Sequence, residues 1–159
     1  FKLAIDSKLR GCDLVRLKVN EVAAGSESRT RAVIVQKKTG RPVQFEITEQ
    51  TRNAVVAWIR QRGLGSGDFL FPSRLASSPH VSTRQYARIV QGWVRSIGLN
   101  PATYGTHSLR RTKAALIYRK TGNLRAVQLL LGHSKLESTV RYLGVEVDDA
   151  LSISEGVDL

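Results

Sequence analysis

The chain has 159 residues, 42% of them hydrophobic, a single cysteine, and a net charge of +12 at pH 7. This length and apolar share suit one domain with a real core. No stretch approaches the roughly 18 apolar residues of a membrane helix, and Cys12 alone excludes an internal disulfide framework, consistent with a reducing compartment.

No secretory signal pattern is visible. The three histidines and the cysteine are too scattered for metal-ligand spacing. The absence of methionine and the start at Phe1 suggest an excised part of a longer protein. All 25 Lys and Arg lie in residues 1–141, while the last 18 residues carry five acids (Glu146, Asp148, Asp149, Glu155, Asp158) and no base. A basic body with an acidic tail suggests a polyanion-binding surface, with nucleic acid favoured over a soluble basic protein that binds nothing in particular, although basic charge also serves anionic membranes.

Taken in chain order, Phe1 to Ile5 reads as part of a helix. Gly11 to Leu17 is a short helical piece with Leu14 and Leu17 turned inward. Val19 to Ala24, Arg31 to Gln36 and Pro42 to Ile47 have strand character, separated by Gly25-Ser26 and Thr39-Gly40 turns. They predict a small antiparallel three-stranded sheet in an otherwise helical, mainly α (α+β) domain. Thr48 is placed to cap a helix to about Arg62, with Val55, Val56, Trp58 and Ile59 on its apolar side. Residues 63–79 read as a loop. Ser82 to Gln85 is a capping box before a helix ending near Gly98. Thr106 is placed to cap the next helix, with Leu109, Leu116 and Ile117 inward. Asn123 opens a short helix, Leu124 to Leu131, that Gly132 stops. Ser134 to Glu137 is a second capping box, opening a helix with Tyr142. The segment from Val145 onward reads as a mobile acidic tail.

The chemistry concentrates in Thr106 to Tyr142. His107 and Arg110 are three apart on a helical first turn, where side chains neighbour each other and free backbone N–H groups favour phosphate. A guanidinium can grip two phosphate oxygens at once. His133 follows the Gly132 stop, and Tyr142 lies nine residues on. Each has a bland reading when taken singly. His107 and Arg110 fit a solvated helix start, His133 a local cap, and Tyr142 a packing residue with a wet hydroxyl. Lys38 fits a charged hairpin turn, and Arg10 a helix cap. The joint pattern argues against all of these.

That pattern resembles the catalytic domain of the tyrosine recombinase (phage integrase) family, from about Ile5 to Tyr142. The resemblance is carried by Leu9-Arg10-Gly11 with Asp13-Leu14, by Lys38-Thr39-Gly40, and by His107-Ser108-Leu109-Arg110-Arg111-Thr112. Leu131-Gly132-His133 and Arg141-Tyr142 complete it. Two departures stand out. Asp6-Ser7-Lys8 replaces the Thr-Gly pair that often precedes Leu-Arg in the family, and Asp13 stands where Ser-Glu is common.

The resemblance implies an enzyme that cuts and rejoins DNA. Tyr142 would attack the scissile phosphate and form a 3′-phosphotyrosine, releasing a 5′-hydroxyl. Arg10, Arg110 and His133 would hold the non-bridging oxygens, Lys38 would protonate the leaving oxygen, and His107 would assist proton transfer near Tyr142. No metal, nucleotide or other cofactor is implied, because the phosphotyrosine conserves the bond energy. Lys37, Arg41, Arg84, Arg88, Arg111 and Lys135 are further candidate phosphate contacts. The expected partners are double-stranded DNA and three further protomers in a synaptic tetramer, with no membrane and no small-molecule substrate, in the cytoplasm on the nucleoid. Residues 1–144 would form the catalytic domain, 145–159 a tail docking in cis or trans, and a separate upstream domain would complete the DNA clamp. Two rival readings use the same residues: a type IB topoisomerase, and a non-enzymatic helix-turn-helix over Leu124 to Leu143.

Overall fold

The computed structural model describes residues 1–25 and 27–144; the acidic tail expected at 145–159 lies outside them. Among the described residues the order is α1 (Lys2–Ser7), α2 (Gly11–Leu14), α3 (Val19–Val22), β1 (Ala23–Ala24), β2 (Glu27–Ser28), β3 (Arg31–Val35) and β4 (Pro42–Glu46). Then follow α4 (Glu49–Arg62), α5 (Thr83–Ser96), α6 (Thr106–Thr121), α7 (Leu124–Leu131) and α8 (Leu136–Leu143). No described helix is long and apolar enough to cross a membrane.

The expected three-stranded sheet is instead two separate antiparallel ribbons. β1 pairs with β2, and β3 pairs with β4 from Arg31 opposite Glu46 to Val35 opposite Pro42. The difference comes from Val19–Val22, which is a helical turn and not part of a strand. Val19 and Val22 are both buried; residues three apart share a helical face but oppose each other in a strand. The Glu21 carboxylate fixes the turn by accepting from the Lys18 backbone N–H at 2.7 Å. β3 and β4 follow the alternation expected of them, with Ala32, Ile34, Val43 and Phe45 inward.

The main core joins α1 to α5 and the β3–β4 ribbon around Phe45, Ile47, Leu17 and Leu70. Trp58 on α4 donates its indole N–H to the Leu70 carbonyl at 2.7 Å, tying the 63–79 loop down. A second, smaller cluster of Ala114, Val127 and Leu131 unites α6, α7 and α8, with Tyr142 packed on it.

Asn123 caps α7 as expected, and Ser82 supplies one half of its expected capping box. The Gln85 N–H donates to Ser82 Oγ at 3.1 Å, and the Ala126 N–H to Asn123 Oδ1 at 2.8 Å. Elsewhere the helix ends differ from those expected. Thr106 is the first residue of α6 rather than its cap; Gly105 precedes it, its N–H held by Ser108 Oγ at 3.1 Å. α8 begins at Leu136 after Lys135, with no side-chain cap from Ser134. Thr48 precedes α4, but its N–H and hydroxyl both donate to Asp6 Oδ2, at 3.1 and 2.6 Å. Leu116, expected inward, is 58% exposed. α6 turns the Arg110, Ala114, Ile117 line inward instead, at the i, i+4, i+7 spacing of one helical face.

Candidate active site

The Asp6-Ser7-Lys8 departure has a structural answer. Lys8 is the sole described non-glycine residue with positive φ, at 54°, where glycine is ordinarily favoured. Its side chain is 0% exposed and its ammonium is fully partnered: Nζ donates to the Asp6 carbonyl at 2.6 Å and to both Glu46 oxygens at 2.9 and 3.0 Å. Lys113 on α6 bridges the same two acids, at 2.8 Å to Asp6 and 2.7 Å to Glu46. Burial alone would raise the Asp6 carboxyl, but hydrogen bonds from Lys113 and Thr48 outweigh it and hold the group down at about 2. This ionic lattice links α1, β4 and α6, with Lys8 two residues before Arg10 in the chain and Lys113 one helical turn after Arg110.

From that base the turn at Lys8 delivers Arg10 to the start of α2, where its carbonyl accepts from the Asp13 and Leu14 N–H groups, both at 2.9 Å. Arg10 Nη1 donates to Gln36 Oε1 at 2.7 Å. Arg110 on α6 is 2% exposed. Its Nη2 donates to the Leu131 carbonyl at 2.8 Å and lies 3.4 Å from His133 Nε2, whereas its Nη1 is buried without a partner. His133 follows Gly132, whose φ of 65° reverses the chain after α7. His133 Nδ1 is hydrogen-bonded to Thr139 Oγ1 at 3.1 Å.

Tyr142 closes the cluster. Its ring stands edge-on to His133, with centroids 5.5 Å apart. The guanidinium carbons of Arg110 and Arg111 lie 5.7 and 5.8 Å from its ring centre, within cation–π range. Its hydroxyl is 3.5 Å from the His107 carbonyl, at the outer limit of a hydrogen bond.

The electrostatics follow from burial plus three guanidinium groups. Burial, then the charges of Arg110 and Arg10, push the His133 imidazole down to about 4. It is therefore neutral at pH 7. With Arg110 donating toward Nε2, the ring proton sits on Nδ1 and faces Thr139. Burial raises the Tyr142 phenol, while Arg110, Arg111 and Arg10 pull it the other way. Burial lowers Arg110 most, and Arg10 adds to this, so the two guanidinium groups feel each other.

Arg10, Arg110, His133 and Tyr142 are thus drawn into one site from four separate segments. His107 meets it through its backbone carbonyl, and its side chain is exposed. Lys38 is exposed in the turn between β3 and β4, with no hydrogen bond or ion pair among the described residues. The turn nevertheless adjoins the site, since its Thr39 Oγ1 donates to Gln36 Oε1 at 3.0 Å. Lys37, Arg41, Arg84, Arg88, Arg111 and Lys135 are all exposed. Among the described residues no group of three His, Cys, Asp or Glu side chains is suited to a metal ion.

The phage integrase family model matches residues 1–148. The chain belongs to the phage integrase family. A probable integrase/recombinase, YoeC, of Bacillus subtilis is 27% identical over 148 residues, covering 93% of this chain and 77% of that protein. The tyrosine recombinase XerC of Erythrobacter litoralis is 30% identical over 146 residues, covering 92% of this chain but only 45% of its own length. The chain therefore spans less than half of that relative. Among solved structures, the XerA recombinase superposes with a TM-score of 0.79 at 18% identity, covering 99% of this chain and 57% of XerA. The XerH site-specific recombinase, in a pre-cleavage complex with its difH substrate, gives 0.74 at 21% identity, covering 98% and 46%. These likenesses establish the tyrosine recombinase catalytic-domain fold.

The sequence alone gives no role to Gln36, Thr139 or Glu46, and marks Asp6 only as a departure from the family's turn. Gln36 and Thr139 are fully buried polar residues beside the site. A glutamine two residues before the lysine of a hairpin turn carries no signal of its own in a single sequence.

Proposed function

We propose that this domain breaks and rejoins double-stranded DNA at specific sites, as a tyrosine recombinase. The observation that carries the reading is Arg110 Nη1, a buried, unpartnered charged donor beside the Tyr142 ring. Buried donors are nearly always paired, and a phosphate oxygen that displaced what now covers Nη1 would supply the missing acceptor beside Arg10. A relative crystallised on its DNA substrate, XerH, fits the same reading.

In the proposed reaction the Tyr142 oxygen attacks phosphorus. The new Tyr–O–P bond forms as the bond to the 5′-oxygen breaks, leaving a 3′-phosphotyrosine and a 5′-hydroxyl. The phenol is neutral in the free protein, so its proton must leave as attack proceeds; His107 takes it, with bound DNA bringing the imidazole to the phenol. Arg10 and Arg110 hold the non-bridging oxygens and offset the charge that grows in the transition state. Burial first, and then the arginine charges, keep His133 deprotonated in the free protein; the negative charge of a bound phosphate favours the protonated ring, which donates to the same oxygens. Lys38 delivers a proton to the leaving 5′-oxygen, and the reverse sequence rejoins the strand. Lys37, Arg41, Arg84, Arg88, Arg111 and Lys135 supply salt-dependent contacts to the flanking backbone. Four protomers would exchange strands on two duplexes, in the cytoplasm on the nucleoid, with residues 145–159 docking on a neighbour or back on the same chain.

The test is covalent capture. The protein is incubated with a random-sequence pool of nicked duplexes, from which cleavage releases a short fragment and so strands the adduct. The reading requires protein–DNA adducts enriched for one sequence, and none with Tyr142→Phe. Absence of adduct from the unaltered protein refutes it.

A further inference from the structure

We infer that Gln36 is the positioning residue that sets Arg10 and Arg110 in register with each other and with the Lys37–Thr39 turn. The inference rests on the recombinase reading above and names a side chain that this reading does not use.

Gln36 lies just past β3 and is 1% exposed. Both ends of its amide are engaged. Oε1 accepts from Arg10 Nη1 at 2.7 Å and from Thr39 Oγ1 at 3.0 Å. Nε2 donates to the Leu131 carbonyl at 3.3 Å. That carbonyl also accepts from Arg110 Nη2 at 2.8 Å. A continuous chain of hydrogen bonds thus runs from Arg10 through the amide and the Leu131 carbonyl to Arg110. The reverse amide orientation would set its donor against a guanidinium donor, so the network admits one orientation.

The backbone of Gln36 fixes the turn as well, accepting from the Gly40 N–H at 2.8 Å and donating to the Arg41 carbonyl at 2.9 Å. The side chain has little room to shift, because a Cβ built on Gly132 would already lie 3.0 Å from Nε2. Only an amide of this length offers an acceptor to the guanidinium and a donor to the carbonyl. A carboxylate would turn an acceptor on Leu131, and an aliphatic side chain would leave Arg10 Nη1 without its partner.

The functional consequence concerns geometry. Two long, flexible guanidinium groups must meet two oxygens of one phosphate, and a misplacement of about 1 Å can cost on the order of 100-fold in rate. Gln36 removes the relative freedom of the two arginines before DNA arrives. Phosphate contacts elsewhere on the surface do not depend on it, so its loss falls on the chemical step rather than on DNA affinity.

The experiment is a double-mutant cycle in the full-length protein, read by single-turnover cleavage of the nicked duplex recovered by covalent capture. Gln36→Leu is expected to slow cleavage by about 30- to 100-fold, with the DNA dissociation constant changed less than about threefold. In an Arg10→Lys background, which lacks the forked donor, the same substitution is expected to cost less than about threefold. A merely structural glutamine would slow both backgrounds equally or weaken DNA binding in parallel, and either result overturns the inference. Where Gln36→Leu fails to fold, Gln36→Asn takes its place in the cycle, since it keeps the amide but retracts it from Arg10 by one carbon. An adduct from the unaltered protein with no coupling between Gln36 and Arg10 defeats this inference alone, whereas no adduct at all defeats the recombinase reading.

Discussion

Gly132→Ala tests how tightly the site is built. Gly132 has φ 65° and ends α7, donating to the Leu129 carbonyl at 3.1 Å while the His133 N–H reaches the Gln128 carbonyl at 3.1 Å. A non-glycine residue in this conformation costs about 1–2 kcal/mol. The added Cβ would also lie 3.0, 3.2 and 3.3 Å from Nε2, Oε1 and Cδ of Gln36. That amide cannot yield without loosening a buried hydrogen bond, worth about 0.5–1.5 kcal/mol. Together the two effects cost about 1.5–3.5 kcal/mol, or roughly 3–14 °C in melting temperature for a domain of this size. Gly122→Ala is the internal control. It has φ 62°, but nothing lies within 4 Å of the built Cβ, so only the conformational cost of about 1–2 kcal/mol applies. Urea titration and thermal melts give the stabilities, and single-turnover cleavage gives the function. Gly132→Ala should lose cleavage well beyond Gly122→Ala, because displacing Gln36 disturbs Arg10. Equal stabilities and equal cleavage rates for the two variants would refute the packing argument.

Other expectations follow from the same geometry. His133 should titrate near pH 4 by NMR in the free protein, and its midpoint should rise in Arg10→Ala and on binding DNA; a midpoint near the ordinary 6.5 contradicts the site electrostatics. Because its folded value lies below the unfolded one, His133 favours the folded state fully above about pH 6.5, and that contribution is lost as pH falls toward 4. Asp6, held at about 2, extends the loss to lower pH. Glu46→Gln strips the buried Lys8 of its carboxylate and should destabilise by about 2–4 kcal/mol in urea. Lys8→Gly suits the φ of 54° and leaves Glu46 paired with Lys113, so it should cost clearly less; the opposite order would remove the ionic lattice from the account. Thr139→Val frees Nδ1 of His133 and should slow cleavage by about tenfold with a small change in melting temperature, given the 10- to 100-fold typical of lost second-layer partners.

The parts of this molecule legible in its sequence are those set by local chemistry. Asn123 and Gly132 bracket α7 because an Asx cap and a left-handed stop act within one turn of chain. Arg10, Arg110, His133 and Tyr142 could be grouped because each sits in a short recognisable motif. Val19–Val22 was misjudged because β-branched residues favour strands, and the Glu21 contact that makes a helical turn outweighs that preference. Leu116 was misjudged because helical spacing permits two apolar faces, and only packing against α7 selects the one through Ala114. Gln36 was invisible for a different reason. Its partners lie 26 residues upstream at Arg10 and 95 residues downstream at Leu131, so its role exists only after the chain folds. Lys8 hid in the same way, because a buried lysine at a glycine-favouring turn makes sense only with Glu46 beside it.

The central claim is that Tyr142 becomes covalently joined to DNA. Mass spectrometry of the trapped, nuclease-trimmed and protease-digested adduct tests it most directly. The account predicts a nucleotide 3′-phosphate on the peptide bearing Tyr142, with a 5′-hydroxyl on the released fragment. Attachment through another residue, or a 5′-phosphate linkage, would contradict it.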